Sequence, residues 1–398
     1  MHYKIKNSIY LDYAASTPLA LEVAKAMDGC RSNFGNPGSL HLLGQRAISL
    51  LDEARQTIAQ NLGANFNEII FTGSATEANN LALRGAVKLF RQKFPKVKPH
   101  LIVSSLEHES VLATAKDLAT EGVGLTILGV SREGVVNLEE LLLALRPNTV
   151  LVSIMHANNE TGVIQPLSKI AEIIEQFRQD HKKTKHGENR YPLLHTDAAQ
   201  SLQFIKYDLK NLGVDLLTIS AQKIYGPKGV GALYVKRKKL NPDILSPVIT
   251  GGGQEYGLRS GTENISGIVG FARAINLAAK LRATATKRLT KLRLEFESGL
   301  KSLPREVTIH SEQAPRLPHI VSFRLPGVSN EKALIKLDQA GICLATGPAC
   351  SSRSHAPSHV LLAMGLTEQA AKESLRASFG RDTDIQAVQA TLQVIGRL

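Results

Sequence analysis

Short apolar, β-rich runs alternate with longer amphipathic runs from residue 64 to residue 235 of this 398-residue chain. The sequence predicts strands at 68–72, 101–104, 125–128, 150–154, 193–195, 216–219 and 231–235. Helical apolar spacing marks 76–94, 110–121, 138–145 and 167–180. This rhythm predicts right-handed crossovers and an α/β fold with a mostly parallel, seven-stranded sheet that helices cover on both faces.

A different pattern begins after residue 262, where a long helix-like segment spans 265–303. Further strands are predicted at 307–309, 319–324 and 342–345, and further helices at 330–340, 357–364 and 383–395. We therefore expect a large domain over 16–262 and a smaller α/β domain made of 1–15 and 263–398.

Composition narrows the class of protein. The chain is 43% hydrophobic and 21% charged, as in ordinary globular domains. It contains no run of about 18 apolar residues, and its first residues lack the apolar core of a signal peptide. Cys30, Cys343 and Cys350 form neither a disulfide framework nor a metal-binding pair. We expect no membrane association, no metal site and a cytoplasmic location.

The net charge of +13 raises the question of an acidic partner. Its two obvious clusters are HKKTKH at 181–186 and KRKK at 236–239. Neither cluster contains aromatic residues that stack on bases. We interpret both as solvated faces, with docking of a negatively charged partner as the alternative, and do not expect direct binding to nucleic acid.

Lys223 lies just beyond a predicted buried strand, in the run SAQKIYGPKG at 220–229. Apolar surroundings lower the pKa of a lysine and allow it to form a Schiff base with a carbonyl. A pyridoxal phosphate enzyme needs such a lysine, together with an acid beside the pyridine nitrogen and a cradle for the phosphate. An ordinary solvated loop lysine is the alternative.

Other polar residues come directly after predicted strands and supply candidates for such a site. Asp197 is a candidate partner of the pyridine nitrogen, or a helix cap, and Gln200 is a candidate donor to the ring oxygen. Thr76, in the GSATE turn at 73–77, lies at a helix start that favours phosphate, or is part of a plain turn. His108 is a candidate proton shuttle, or an exposed loop histidine. The NNETG run at 158–162 offers amides for a carboxylate, or is a simple turn.

Nine motifs occur in a fixed order over nearly the whole chain. They are YLDYAASTP at 10–18, FGNP at 34–37, GSATE at 73–77, EH at 107–108, HANNETG at 156–162, TDAAQ at 196–200, SAQKIYGPKG at 220–229, GGGQEYGLRSGTEN at 251–264 and SLRASFGR at 374–381. In this order they resemble the cysteine desulfurases, which are class-V, fold-type I enzymes that depend on pyridoxal phosphate.

The resemblance implies a role for each candidate. Lys223 would carry the cofactor, Asp197 would pair with its pyridine nitrogen, Gln200 would bind its ring oxygen and His108 would stack over the ring and transfer protons. The residues implied for the rest of the cofactor site are Ala75, Thr76, Ser220, Gln222 and, from the second subunit of a homodimer, Thr262. Those implied for the carboxylate of L-cysteine are Asn36, Asn159 and Arg376.

Cys350 decides the reaction class. It lies in the polar run ATGPACSSRSHAPSHVL at 345–361, between a predicted strand and a predicted helix, where a reactive thiolate is accessible. The run resembles the catalytic loop of group I cysteine desulfurases, in which the thiolate takes sulfur from L-cysteine as a persulfide and alanine leaves. The sulfur would then pass to a protein acceptor, either an iron–sulfur scaffold or a thiolation carrier. We expect Cys343 to be a buried structural residue.

Two positions depart from the family pattern, and two other functions stay open. Gln222 stands where the family usually has a histidine that contacts the phosphate, and Pro348 stands where a serine is common.

One alternative function is that of a cysteine lyase or class-V aminotransferase, in which Cys350 would have no catalytic role. A basic module that binds RNA or an acidic protein is the other.

Overall fold

The computed structural model describes residues 8–181, 191–237, 244–347 and 356–398. Its strands are β1 (Ile9–Tyr10), β2 (Ile69–Thr72), β3 (His100–Ser104), β4 (Gly124–Leu128), β5 (Thr149–Ser153), β6 (Leu193–Asp197), β7 (Leu216–Ser220), β8 (Gly231–Val235), β9 (Thr308–Ile309), β10 (Ile320–Arg324), β11 (Ile342–Cys343) and β12 (Ser374–Ser378). Its helices are α1 (Leu21–Asp28), α2 (Leu42–Leu62), α3 (Ala75–Lys93), α4 (Glu109–Thr120), α5 (Leu138–Ala144), α6 (Leu167–Asp180), α7 (Leu209–Leu212), α8 (Ile265–Lys301), α9 (Asn330–Gln339), α10 (His359–Ala363), α11 (Glu368–Lys372) and α12 (Ile385–Ile395). Cys350, Pro348, residues 182–186 of the first basic cluster and residues 238–239 of the second lie outside the described residues.

The central sheet has seven strands in the order β2-β8-β7-β6-β5-β3-β4. All neighbouring pairs are parallel except those of β8, which runs antiparallel to both β2 and β7. Only the residues 221–230 separate β7 from β8, which is too short for a helical crossover. The predicted mostly parallel seven-stranded sheet is confirmed.

Helices bury both faces of this sheet. Every residue of the inner strands β3, β5, β6, β7 and β8 is buried. One apolar core joins the sheet to α2, α6 and the first half of α8, and a second core joins it to α3 and α4. With both faces covered, polar side chains of the strands can reach a cavity mainly where the strands end.

The C-terminal part contains two small sheets, β12-β10-β9 and the pair β1-β11. Its own core includes Leu11 near the N-terminus and residues of the second half of α8, such as Phe296. Helix α8 therefore contributes to cores of both parts, and the domain boundary at 262 stays a prediction. The sequence analysis did not predict α1, α2 or β12. Among the described helices, none is both long and apolar enough to cross a membrane.

A buried ion pair fixes the segment 251–264 against the sheet. Arg55 donates to both carboxylate oxygens of Glu255, at 2.7 Å each, and to the carbonyl of Ile69 at 2.5 Å. The backbone N–H of Phe71 also donates to Glu255, at 2.8 Å. Glu255 and Tyr256 both adopt positive φ, at 49° and 58°. The ion pair thus holds a strained turn beside the strand that leads into α3.

Replacing Glu255 with Ala should lower the free energy of unfolding by about 3–5 kcal/mol, because it leaves the Arg55 guanidinium buried without a carboxylate. The double variant Arg55→Met/Glu255→Leu should lose less, since no unpaired charge stays buried. Urea unfolding followed by far-ultraviolet circular dichroism measures both changes. An equal or larger loss in the double variant would contradict the argument.

Candidate active site

A cavity of about 200 Å³ lies at the carboxyl ends of β5, β6 and β7. Ten of the residues predicted from the sequence line it: Ala75, Thr76, His108, Asn159, Asp197, Gln200, Ser220, Gln222, Lys223 and Arg376. Asn36 and Thr262 are exposed and do not line it. Cys350 lies outside the described residues. The topology therefore gathers residues from six sequence motifs around one space.

Lys223 ends the short 3₁₀ turn Ala221–Lys223 that comes directly after β7. Its Nζ donates to the carbonyl of Ala14 at 2.9 Å and to that of Ala15 at 2.6 Å. The amide of Gln200 donates to the same Ala14 carbonyl, at 2.9 Å. The N-terminal segment therefore forms a wall of the cavity and holds the amine in place.

Asp197 is the last residue of β6 and is buried. Asn79 donates through its side-chain amide to Oδ2 at 2.8 Å, and the backbone N–H of Ala199 donates to Oδ1 at 2.9 Å. Asn79 also donates to the hydroxyl of Ser110 at 2.8 Å. These contacts fix the carboxylate at the cavity wall.

His108 caps the N-terminus of α4, and its Nδ1 accepts from the backbone N–H of Ser110 at 3.1 Å. An accepting Nδ1 places the proton of the neutral ring on Nε2. Burial lowers the pKa of His108. The nearby Lys223 lowers this pKa further, whereas Asp197 raises it and only partly offsets the effect of burial. The imidazole is thus favoured in its neutral form, with one N–H donor.

The N-terminus of α3 contributes Ala75 and Thr76 to the cavity. Ser74 caps this 19-residue helix by accepting from the N–H of Glu77 at 3.1 Å. At Gly231, an added Cβ would come within 2.7 Å of the backbone of Ser74, so only glycine allows β8 this close to the turn. The helix dipole and the N–H groups at a helix N-terminus favour an anion at this corner.

Arg376 is a fully buried residue of β12, with 2% of its surface exposed. Nη1 donates to the carbonyl of Asn159 at 2.8 Å, and Nη2 donates to Asp12 at 2.5 Å. Its Nε has no hydrogen-bond partner among the residues that the structure describes. The guanidinium is therefore held rigidly beside the cavity and keeps an unused donor.

Glu107 precedes His108 and is completely buried. Oε1 accepts from the hydroxyl of Ser104 at 2.6 Å and from the N–H of Met155 at 2.7 Å. Desolvation raises the pKa of the Glu107 carboxyl to about 8, against the smaller lowering effect of these hydrogen bonds. Burial therefore favours the protonated form of this carboxyl at neutral pH.

The model of the aminotransferase class-V family matches residues 9–391. The cysteine desulfurase IscS of Dictyoglomus turgidum is 40% identical over 395 residues, which are 99% of this chain and 95% of that relative. A solved NifS-like protein superimposes with a TM-score of 0.86 at 36% identity and covers 98% of both chains. The structure of SspA in complex with cysteine has a TM-score of 0.78 at 34% identity, over 94% of this chain and 99% of that one. The chain belongs to the cysteine desulfurases of the class-V aminotransferase family.

Family membership confirms the predicted fold class and the predicted dependence on pyridoxal phosphate. The side chains that line the cavity are chemically suited to this cofactor. An anion site at the start of α3 suits the phosphate, the buried carboxylate of Asp197 suits a protonated pyridine nitrogen, and the amine of Lys223 also lines the space. The roles of the individual residues stay predictions.

The structure adds residues to which the sequence analysis gave no role. Asn79 is a polar residue on an otherwise apolar buried face of α3, which is a signal that sequence reasoning can use. Asp12 lies in the YLDYAASTP motif, but its contact with Arg376 spans 364 positions and has no local signal. Cys343 is half buried in β11, whereas the sequence analysis expected it to be buried. Cys30 is buried just after α1.

Replacing Glu107 with Gln should flatten the dependence of stability on pH. The folded-state pKa of Glu107 is about 8, above its ordinary value of 4.5. Its protonated form therefore stabilises the fold at low pH, and this stability is lost as pH rises through about 8. Glutamine cannot ionise. Melting temperatures of wild type and Glu107→Gln, measured from pH 5 to 9, should therefore be similar at low pH, and the variant should melt at the higher temperature at high pH. Parallel curves for the two proteins would contradict the assignment.

Proposed function

We propose that this cavity holds pyridoxal phosphate on Lys223 and converts L-cysteine to L-alanine, with the sulfur passing to Cys350 as a persulfide. One observation carries the proposal. A lysine, a buried carboxylate, a neutral histidine and a buried arginine with an unused donor lie around one small cavity in a member of the cysteine desulfurases. Together they provide for cofactor attachment, proton transfer and recognition of an amino acid.

Two groups of residues would hold the cofactor. Asp197 would pair with the pyridine nitrogen and Gln200 with the ring oxygen. The residues that would hold the phosphate are Ala75, Thr76, Ser220 and Gln222 of one chain and Thr262 of a second copy. Pyridoxal phosphate, when bound, supplies an electron sink for bonds at the substrate α-carbon. Gln222 donates without a positive charge, so its contribution to phosphate affinity is smaller than that of a protonated histidine.

Proton transfer is the task of Lys223 and His108. The carbonyls of Ala14 and Ala15 hold Nζ of Lys223 at the cavity, where an uncharged amine can take the α-proton of the substrate. In neutral His108, Nδ1 accepts from Ser110 and Nε2 carries the proton. His108 lines the cavity, where this N–H can stabilise negative charge or return a proton. The low pKa that burial gives His108 keeps it in this form at neutral pH.

The substrate carboxylate is assigned to Arg376, with Asn159 and Asn36 as supporting amides. Arg376 is already fixed by Asp12 and by the carbonyl of Asn159, so little side-chain entropy is lost when an anion binds. A carboxylate that accepts from a planar guanidinium is also oriented by it. This contact places the β-carbon and sulfur of L-cysteine in a defined direction.

The sulfur step belongs to Cys350. Its thiolate attacks the substrate sulfur, an S–S bond forms as the C–S bond breaks, and the electron pair stays with the substrate carbon. Uptake of a proton at that carbon then gives alanine. The persulfide would pass to a protein acceptor in the cytoplasm, such as an iron–sulfur scaffold or a thiolation carrier.

A homodimer is part of the proposal because apolar side chains are exposed along the segment 19–42. The exposed fractions are 80% for Phe34, 92% for Leu40 and 65% for Leu42. Asn36 lies in the same segment, and Thr262 is likewise exposed and outside its own chain's cavity. A second copy that covers this segment would bury the apolar surface, and Asn36 and Thr262 are proposed to reach the cavity of that copy.

Replacing Cys350 with Ala should lower the rate of alanine formation from L-cysteine at least a thousandfold, because no thiolate accepts the sulfur. The cofactor absorbance should persist in this variant and should be lost in Lys223→Ala. Alanine is measured by chromatography and the persulfide by mass spectrometry. If Cys350→Ala made alanine and sulfide at the wild-type rate, another class-V activity would replace the desulfurase mechanism.

Replacing Leu40 with Asp should weaken dimerisation at least tenfold, since it places a charge on the apolar segment. Leu143→Asp is a matched control, because Leu143 is 85% exposed on α5, outside that segment. Analytical ultracentrifugation over a concentration series measures both dissociation constants. Equal constants for the two variants would argue against this surface as the interface.

A further inference from the structure

Glu160 is a buried acid that the proposed reaction leaves without a task. Only 2% of its surface is exposed. Its Oε2 accepts from the hydroxyl of Ser358 at 2.5 Å. Its Oε1 has no hydrogen-bond partner in the described part of the chain. A buried carboxyl with one unused oxygen is costly, so a local reason for its presence is expected.

The contacts of Glu160 lie at both ends of the segment that contains Cys350. Ser358 caps α10, since its hydroxyl also accepts from the N–H of Leu361 at 3.2 Å. On the other side, a Cβ added to Gly347 would lie 3.2 Å from Oε2 of Glu160 and 3.9 Å from Cβ of Ser358. Positions 347 and 358 therefore meet at one carboxyl group.

The backbone of Glu160 belongs to a turn of the candidate active site. The side-chain oxygen of Asn158 accepts from the N–H of Glu160 at 2.8 Å and from that of Thr161 at 2.9 Å. The carbonyl of the intervening Asn159 accepts from Arg376. The same short turn thus contacts the arginine assigned to the substrate carboxylate and the two ends of the Cys350 segment.

The start of α10 has a second attachment beside His108. Nε2 of His359 donates to the carbonyl of Glu107 at 3.0 Å. Val360 and Leu361 pack with Leu106 and Met155 in a small separate core. Glu160 and the 106–108 segment therefore hold this helix start from two sides, which leaves it little freedom relative to the cavity.

We propose that Glu160 is a positioning residue for the sulfur-transfer step, which joins the two ends of the Cys350 segment to the turn that contacts Arg376. This inference rests on the proposed role of Cys350 as the sulfur acceptor. Burial raises the pKa of the Glu160 carboxyl and favours its neutral form, so a glutamine can replace it in shape and in accepting from Ser358. Glu160 thereby fixes positions 347 and 358, between which Cys350 lies in the sequence, and reaction rates are sensitive to the placement of reacting groups.

The first test compares Glu160→Ala and Glu160→Gln as holoenzymes in single-turnover reactions with L-cysteine. In Glu160→Ala, alanine and persulfide should form at least about tenfold more slowly. The L-cysteine concentration that gives half of the cofactor absorbance change should stay within about twofold of wild type, because substrate binding precedes sulfur transfer. Glu160→Gln should restore the rate to within about threefold.

The second test removes the other side of the contact. Ser358→Ala should slow alanine formation by a factor similar to that of Glu160→Ala, and the double variant should be no slower than either single one. Thr367→Ala is the matched control, since Thr367 caps the neighbouring α11 by accepting from the N–H of Ala370 at 3.2 Å. Its rate should equal that of wild type, because it loses a cap of the same kind without touching Glu160.

Three results would overturn the proposal. The first is a wild-type rate of alanine formation in Glu160→Ala. The second is equal rates in Ser358→Ala and Thr367→Ala. The third is that Glu160→Ala loses both the cofactor absorbance change and alanine formation. If Glu160→Ala does not fold, the comparison of Ser358→Ala with Thr367→Ala decides alone. Failure of the proposed function is recognised separately, because Cys350→Ala would then keep wild-type alanine formation.

Discussion

The structure depends on the complete burial of the central sheet. Helices cover both faces, so every residue of β5, β6 and β7 is buried, and their apolar side chains belong to the two cores. The polar groups of β6 and β7 that line the cavity lie at the ends of these strands. Asp197 ends β6, Ser220 ends β7, and Lys223 comes three positions later. Their relative positions are therefore set by the register of parallel strands, which is among the most rigid features of such a fold. A cofactor that spans these strands meets groups that are already fixed before it binds.

The N-terminal segment closes the cavity from outside the sheet. The carbonyls of Ala14 and Ala15 accept from Lys223, and Asp12 accepts from Arg376. Thr17 donates from its N–H and its hydroxyl to the carbonyl of Gln222, at 3.1 Å and 2.8 Å. A few consecutive residues thus connect the turn after β7 with the C-terminal part. This explains why the lysine and the arginine, which are far apart in the chain, keep a fixed geometry relative to one cavity.

Local periodicity and short motifs made the central sheet and several site residues predictable from the sequence. Alternating patterns placed the seven central strands, and the position after each strand identified Asp197, His108 and Lys223. The contacts that orient these residues were not predictable in the same way, because they join positions that are distant in the chain. Asp12 and Arg376 have no shared local pattern, and the antiparallel direction of β8 depends on the length of one connection. Element ends also shifted by a residue or two, since capping and hydrogen bonding, rather than hydrophobicity, decide them.

Two buried acids show how the cavity manages its charge. Glu107 lies in the segment after β3 and Glu160 in the turn after β5, and burial raises the pKa of both carboxyl groups. Ionised, Glu160 would place a negative charge that interacts with Arg376, and Glu107 one that interacts with Asp197, so the attraction of the site for an anion would fall. In the neutral forms that burial favours, they would act as hydrogen-bonding groups that fix the backbone without opposing an anion. The carboxyl groups of Asp197 and Asp12 each have donors within 3 Å. Each of the four carboxyl groups is thus held by hydrogen-bond donors, so their positions are fixed before any anion binds.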